Sequence, residues 1–347
     1  MIRYLAEDEK TKSRALWREA FPEDSESFDD YYYTEKIRDN QILVMEEDGK
    51  IISMLHLNPY QIAIQKQIRK SAYIVGVATT KEKRREGHMR AILTQAMEDL
   101  YQQGMGFVFL MPADAKIYQP FDFTYIFDQP HWKLKDRMPL RKHRYHAADE
   151  TEQYLLQEIS DWTNVWLQRR YEVYAFRSRI YYQRLMKELA SEQGETSLLY
   201  NDERLVGVES IWGLDKREQR MLLCDDLYCE EAEEATPAIM ARILHLENFI
   251  KMIGLKDSCK EESLTVSLSV EDQFCKENRG TYQWCLRRDG SSLKKLTDSP
   301  ASLEKEGGLS VTISQLTSWL FGYSVPDRED WTAKVHTLRG VFLDEVV

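Results

Sequence analysis

Lys81-Glu82-Lys83-Arg84-Arg85-Glu86-Gly87-His88-Met89-Arg90 is the stretch whose reading decides the fold. Just before it, Ile68–Thr79 is apolar and rich in β-branched residues, the pattern of a strand. Just after it, Met89, Ile92, Leu93, Ala96, Leu100 and Tyr101 recur at helical spacing. The stretch is therefore a basic turn between a strand and an amphipathic helix. Lys81, Lys83, Arg84, Arg85 and Arg90 outnumber Glu82 and Glu86, leaving a local charge of +3. Backbone N–H groups at a helix N-terminus point at an anion, and the helix dipole assists. Gly87 lets the backbone approach a pyrophosphate closely. Alone, an R-x-x-G turn reads equally well as a solvated basic loop that caps a helix, so the context must choose.

Upstream, Ile2–Leu5 reads as a strand, Asp8 to about Phe21 as a helix, and Asp24 or Ser25 to Ile37 as a second helix. Gln41–Met45 and Ile51–Leu57 flank Asp48-Gly49, a hairpin signal. A further hairpin, Gln61–Gln65 and Ile68–Thr79, leads into the basic turn. Downstream, Phe107–Met111 is a buried-type strand closed by Pro112, followed by a helical turn Ala113–Tyr118 and the strand Thr124–Phe127. Residues 130–147 read as a connector whose basic run is a solvated edge. The aromatic stripe from Trp162 to Tyr182 reads as core, followed by strands Ser197–Tyr200, Leu205–Trp212 and Met221–Asp225. Pro237 is placed to open a helix over Ala238–Ile253. Leu264–Val270, Gly280–Arg287 and Leu309–Ile313 read as strands and Ile313–Leu320 as a helix. The apolar run into Val347 reads as a docked terminus.

The chain has 347 residues, enough for two or three domains. Lys and Arg number 47 and Asp and Glu 58, a net charge of −11 that disfavours nucleic acid and anionic membranes and suits a cationic substrate. No apolar run approaches the ~18–20 residues that span a bilayer, and the acidic N-terminus has no signal-peptide core. Cys224, Cys229, Cys259, Cys275 and Cys285 form no C-x-x-C pair and read as free thiols in a reducing cytoplasm. His143 and His146 lack a third ligand, so no metal site is expected.

The element order, the turn and the strand after it resemble the GCN5-related N-acetyltransferase (GNAT) family. There Q/R-x-x-G-x-G/A holds the pyrophosphate of acetyl-CoA. Arg84 and Gly87 match, and Met89 departs from the usual small residue. Val75-Gly76-Val77-Ala78-Thr79, Arg90 and Ile117-Tyr118-Gln119-Pro120-Phe121-Asp122-Phe123 are similar to the enhanced intracellular survival (Eis) branch, with Asp122 in place of a Gly. The resemblance implies a mixed α/β fold of three units: a GNAT domain over residues 1–135, a second GNAT-like domain over 136–235, and a sterol-carrier-like (SCP2-like) α+β domain over 236–347. Members of that branch assemble into homo-oligomers, while the residues themselves leave the oligomeric state open.

Acetyl transfer from a thioester to an amine needs a base for the amine, a donor for the oxyanion, an acid for the thiolate, and alignment. The resemblance implies Tyr118 as general acid, a phenol of ordinary pKa about 10. The alternative for Tyr118 is packing in the Pro120-Phe121 turn. The resemblance further implies the α-carboxylate of Val347 as base. It places acetyl-CoA on Val77, Thr79, Arg84, Arg85, Gly87, His88, Met89 and Arg90, and a small-molecule or lysine amine near Asp30, Tyr33 and Glu35. The reading from a different class is a protein that binds acyl-CoA or lipid without transferring anything.

Overall fold

The computed structural model describes residues 1–145, 152–213, 217–300, 307–326 and 331–345. Strand β1 (Ile2–Tyr4) leads through a 3-10 turn into helices α1 (Arg14–Ala20) and α2 (Glu26–Glu35). The Ser25 hydroxyl accepts from the Phe28 N–H at 3.0 Å, satisfying a first-turn donor and starting α2 there. Strands β2 (Gln41–Glu47), β3 (Lys50–Ile64) and β4 (Gln67–Thr79) form an antiparallel meander. Asp48 and Gly49 both take positive φ, as the first hairpin turn requires.

The expected break between Leu57 and Gln61 does not occur, and β3 runs unbroken for 15 residues. Pro59 is tolerated because β2 ends opposite Leu57 and the next partner on that side begins at Ile62. Its missing N–H falls where that edge has no neighbour. Helix α3 (His88–Gln102) covers one face, with Ile92, Leu93, Ala96 and Leu100 in one cluster with Leu55, Leu57, Ala72 and Ile74. Strand β5 (Phe107–Leu110), the turn-length α4 (Ala115–Tyr118) and β6 (Thr124–Leu134) follow. Strand β6 extends into the expected connector.

A second sheet, in the order β11-β10-β9-β7, comes from β7 (Arg141–Arg144), β9 (Glu195–Asn201), β10 (Arg204–Trp212) and β11 (Glu218–Cys224). Helices α5 (Gln153–Gln168) and α6 (Arg179–Ser191) carry the aromatic stripe, with Trp166 and Tyr182 buried. Between them, β8 (Val173–Ala175) pairs with Ile62–Ile64 of β3.

The helix expected over Ala238–Ile253 is not formed. Strand β12 (Cys229–Ile243) instead runs between β5 and β6 in the first sheet, and only Leu246–Ile250, α7, is helical. Residues 238–243 are all buried, and their run, apolar but for Arg242, has no period that separates a buried strand from a buried helix. Pairing with two strands supplied by residues 107–134 settles it. Position 235 therefore falls inside a strand.

The remaining elements are β13 (Gly254–Leu255), β14 (Ser263–Glu271), β15 (Gly280–Arg287), β16 (Gly290–Thr297), β17 (Leu309–Thr312), α8 (Ile313–Leu320), β18 (Val335–His336) and β19 (Val341–Phe342). The order β16-β15-β14-β17 forms a sheet with β14 and β17 parallel. Thr312 caps α8 through a reciprocal box with Gln315. Strand β19 lies parallel to β8. The end of the chain is thus tied, through β8, to the first sheet.

Candidate active site

Strands β4 and β5 are parallel and pair at only two positions, Ala72 with Val108 and Tyr73 with Phe109. Beyond Tyr73 they part. The cause lies on β4, where Leu55 of β3 stands opposite both Gly76 and Val77, a β-bulge that bends the strand. Gly76 has φ +60°, and a Cβ there would lie 2.5 Å from the Trp17 ring. Only glycine fits this conformation at this approach. From Ile74 to Thr79 this edge of β4 has no paired strand.

The basic turn leaves the end of this edge. Arg85 and Gly87 both take positive φ, +69° and +87°, and curl the chain into a concavity before α3. Arg84 Nε donates back to the Thr79 carbonyl at 3.1 Å. Gly87 is the N-cap of α3, and its carbonyl accepts from Ala91 at 3.0 Å. The N–H groups of His88, Met89 and Arg90 are first-turn donors without an intrahelical acceptor. Met89 packs its side chain on the α3 core cluster, so the bulky residue leaves the backbone amide accessible. The Arg90 guanidinium lies 5.0 Å from the Phe121 ring centroid and 5.5 Å from that of Phe274. His88 Nε2 lies 3.2 Å from Glu86, and Lys83 pairs with Glu47 at 2.5 Å.

Tyr118 ends α4 just after β5. Asp114 starts that turn by accepting from the Lys116 N–H at 2.9 Å. The Tyr118 ring packs edge-on against Phe123 at 6.1 Å and shares the cluster of Val77 and Met89. Burial alone pushes its phenol up to about 12. Its hydroxyl makes no hydrogen bond among the described residues. Asp122, standing where the resembling branch has Gly, takes φ +63°, a conformation that Asp and Asn tolerate better than most residues. Its carboxylate lies 4.0 Å from the buried guanidinium of Arg242, which pairs with Asp272 at 2.5 Å.

The three α2 residues expected near the acceptor are held by protein partners. Asp30 is exposed and pairs with Arg14. Tyr33 is core, its hydroxyl 2.9 Å from Ser13. Glu35 pairs with Lys187 at 2.7 Å and Arg38 at 3.2 Å. None lines the cavity of about 540 Å³ that opens between β3, β4, α6 and the end of the chain. Lys36 and Asp39, Tyr60, Tyr181 and Glu188, Arg220, and Glu345 line it instead. Five separate segments supply them, so no local spacing announces them.

Val346 and Val347 lie outside the described residues, and so does His146. The five residues before them do not. Val341–Glu345 is buried throughout. Asp344 pairs with Arg177, both almost wholly out of solvent. Glu345 accepts from Tyr60 at 2.9 Å and from Tyr181 at 3.1 Å. Burial, reinforced by Asp344, raises its pKa against the pull of Arg177 and Arg220. The Tyr73 hydroxyl, on the last paired rung before the strands part, lies 3.5 Å from the Glu345 carbonyl and against the Met111 backbone. The terminal segment therefore reaches the mouth of the gap between β4 and β5. Among the described residues, no group of three or more His, Cys, Asp or Glu side chains could hold a metal ion. Among the described residues no helix is long and apolar enough to cross a membrane.

Residues 1–126 match the acetyltransferase (GNAT) domain family, and residues 246–342 match the sterol carrier protein domain family. Among curated proteins the chain has no match. Several solved structures are similar over nearly the whole length. A probable N-acyltransferase from Enterococcus faecalis has TM-score 0.78 and 17% identity, covering 99% of each chain. A GCN5-related N-acetyltransferase from Kribbella flavida has TM-score 0.71 and 13% identity, covering 100% of this chain and 98% of that one. Eis1 from Mycobacterium abscessus has TM-score 0.67 and 13% identity, covering 99% of each.

Proposed function

We propose that this chain, which carries an acetyltransferase (GNAT) domain followed by a sterol carrier protein domain, transfers an acetyl group from acetyl-CoA to a primary amine by direct attack in a ternary complex. The observation that carries the reading is the parting of β4 and β5 after Tyr73, with an anion-binding turn at one end of the open edge and Tyr118 after β5. In this reading the pyrophosphate lies on the amides of Gly87, His88 and Met89. Arg84, Arg85 and Arg90 supply positive charge, and Arg90 is oriented by its two aromatic neighbours. The open edge at Val77 and Thr79 takes the pantetheine arm as a neighbouring strand would.

Tyr118 donates its proton to the leaving thiolate. A phenol held up to about 12 is fully protonated at neutral pH, so the donor is always loaded. The α-carboxylate of Val347 takes the proton of the attacking amine. The supporting fact is that the buried run to Glu345 ends beside Tyr73. A terminal carboxylate has an ordinary pKa of about 3.3–3.7 and is a weak base, so burial must raise it or water must relay the proton. In this reading the chain divides into units near 1–135, 136–235 and 236–347, although the boundary at 235 cuts strand β12, which belongs to the first sheet. All five thiols are free, which suits a reducing compartment.

The test is release of free thiol from acetyl-CoA against a panel of amines. Release that depends on the amine is expected. A folded protein that binds coenzyme A, yet releases no thiol with any amine, would turn the reading to the non-transferring binder.

A further inference from the structure

Three residues that line the cavity between β3, β4, α6 and Glu345 each carry a buried side-chain atom with no hydrogen-bond partner among the described residues. Glu188 is almost wholly buried. Its Oε2 accepts from the Tyr31 hydroxyl at 3.1 Å and lies 3.5 Å from Lys36 Nζ, while its Oε1 has no partner. Arg220 is buried too, with Nη1 at 4.0 Å from Asp344 and Nε without a partner. Asn58 is the third: its Oδ1 accepts from Asn40 at 3.3 Å, and its Nδ2 has none. All three residues line the same cavity. Leaving such groups unmet in the interior is costly, above all where they are charged.

We propose that the acceptor is a zwitterion, a small molecule carrying a carboxylate as well as the amine, as a free amino acid does. The inference rests on the transferase reading. Glu188 accepts from the amine or ammonium group, and Arg220 with Asn58 donates to the carboxylate. A simple polycation would leave Arg220 and Asn58 unmet, and a simple anion would leave Glu188 unmet. Glu345 does not substitute for Glu188, because the hydroxyls of Tyr60 and Tyr181 already occupy its carboxylate.

The charge around the cavity points the same way. The chain as a whole is strongly acidic, yet Lys36, Lys70, Arg184 and Arg220 line the cavity against Asp39, Glu188 and Glu345. Burial raises the pKa of Glu345 and weakens its share of the negative side. A pocket built for a polyamine would show the opposite balance. The volume, about 540 Å³, lies within the common range for small-molecule sites, roughly 300–1,000 Å³.

The experiment is calorimetric titration of the full chain, loaded with coenzyme A, with the standard L-amino acids and ornithine. Each amino acid that binds is compared with its carboxamide and its decarboxylated amine. At least one amino acid is expected to bind, with both relatives weaker by about 10- to 150-fold, the range for one lost hydrogen bond to a charged group. Glu188→Gln, a nearly isosteric change, should weaken the amino acid by a similar factor and leave coenzyme A affinity unaltered. No binding at about 10 mM, a concentration that would detect a Kd of ~1 mM, overturns the proposal. So does a decarboxylated amine that binds as well as its parent. An amino acid that binds tightly but releases no thiol, while another amine does, overturns its role as acceptor and keeps the transferase reading; no thiol release with any amine refutes the transferase reading and leaves only a zwitterion-binding site.

Discussion

Gly76→Ala should damage both the fold and the coenzyme site, and the structure sets the size of the effect. Gly76 sits at φ +60°, where an L-residue costs roughly 1–2 kcal/mol. The added Cβ would meet Trp17 at 2.5 and 3.1 Å and His56 at 3.4 Å. Trp17 has nowhere to go. It stacks on Tyr32 at 4.3 Å, meets Tyr33 edge-on at 6.1 Å, and donates its indole N–H to Asp24 at 2.8 Å. Forcing a methyl into such packing costs about 1–3 kcal/mol. The total, about 2–5 kcal/mol, is a large part of the ~5–15 kcal/mol that holds a typical domain together. Relief by flattening the bulge would bring β4 toward β5 and narrow the gap, so acetyl-CoA affinity should fall as well. Gly87→Ala is the control. Its φ is +87°, but a Cβ there meets nothing within 4 Å, so only the strain of roughly 1–2 kcal/mol applies. Denaturant melts of both variants, with acetyl-CoA titrations, give the comparison. A Gly76→Ala protein within about 0.5 kcal/mol of the parent, with unaltered acetyl-CoA affinity, would refute the claim that the bulge and its Trp17 contact open the site.

Tyr118→Phe should lower turnover by ~10²–10⁴-fold with acetyl-CoA affinity nearly unchanged. Since burial holds the phenol near 12, the parent should show no alkaline loss of turnover near pH 10 that the Phe variant lacks. Extending the chain past Val347, or deleting Val346 and Val347, should reduce turnover while sparing acetyl-CoA binding, and a fully active extended protein removes the terminal carboxylate from the mechanism. Asp344→Asn strands the buried Arg177 charge and should destabilise the protein by roughly 3–5 kcal/mol, read from the melting curve. Burial lowers His56 to about 3, below its unfolded value of about 6.5. Its neutral form therefore stabilises the fold fully above pH 6.5, and that contribution drains away as pH falls toward 3. A His56→Gln protein should lose stability less steeply between pH 7 and pH 4 than the parent, and parallel slopes would discharge His56 from that role.

The turn from Lys81 to Arg90 was readable because everything it needs is local. A strand period changes to a helix period across a basic, glycine-containing turn, and Gly87 falls at the N-cap with positive φ. The start of α2, read at Asp24 or Ser25, and that of α8, read at Ile313, were legible for the same reason, and the structure fixes them with the Ser25 cap and the Thr312–Gln315 box. Asp122 is an instructive departure. It differs from the resembling motif in residue type but keeps the left-handed backbone that the motif's glycine permits.

Elsewhere local pattern was insufficient. Ala238–Ile253 has a proline at its head and an apolar run behind it, which fits a buried helix as well as a strand buried on both faces. The open edges of β5 and β6, more than a hundred residues earlier in the chain, make it β12. Tyr33 and Glu35 sit on the expected helix, but α1 and α6 take up their side chains. Glu188, Arg220 and Glu345 meet around one cavity only because β8 and β19 fold the chain end back onto the first sheet. Short-range spacing thus carried the strand–turn–helix unit and the first-turn amides of α3, whose geometry depends on neighbours in the chain. The opening between β4 and β5 and the charged cavity beside Glu345 depend on contacts between distant segments, and burial and ion pairing act on those only after the chain has folded.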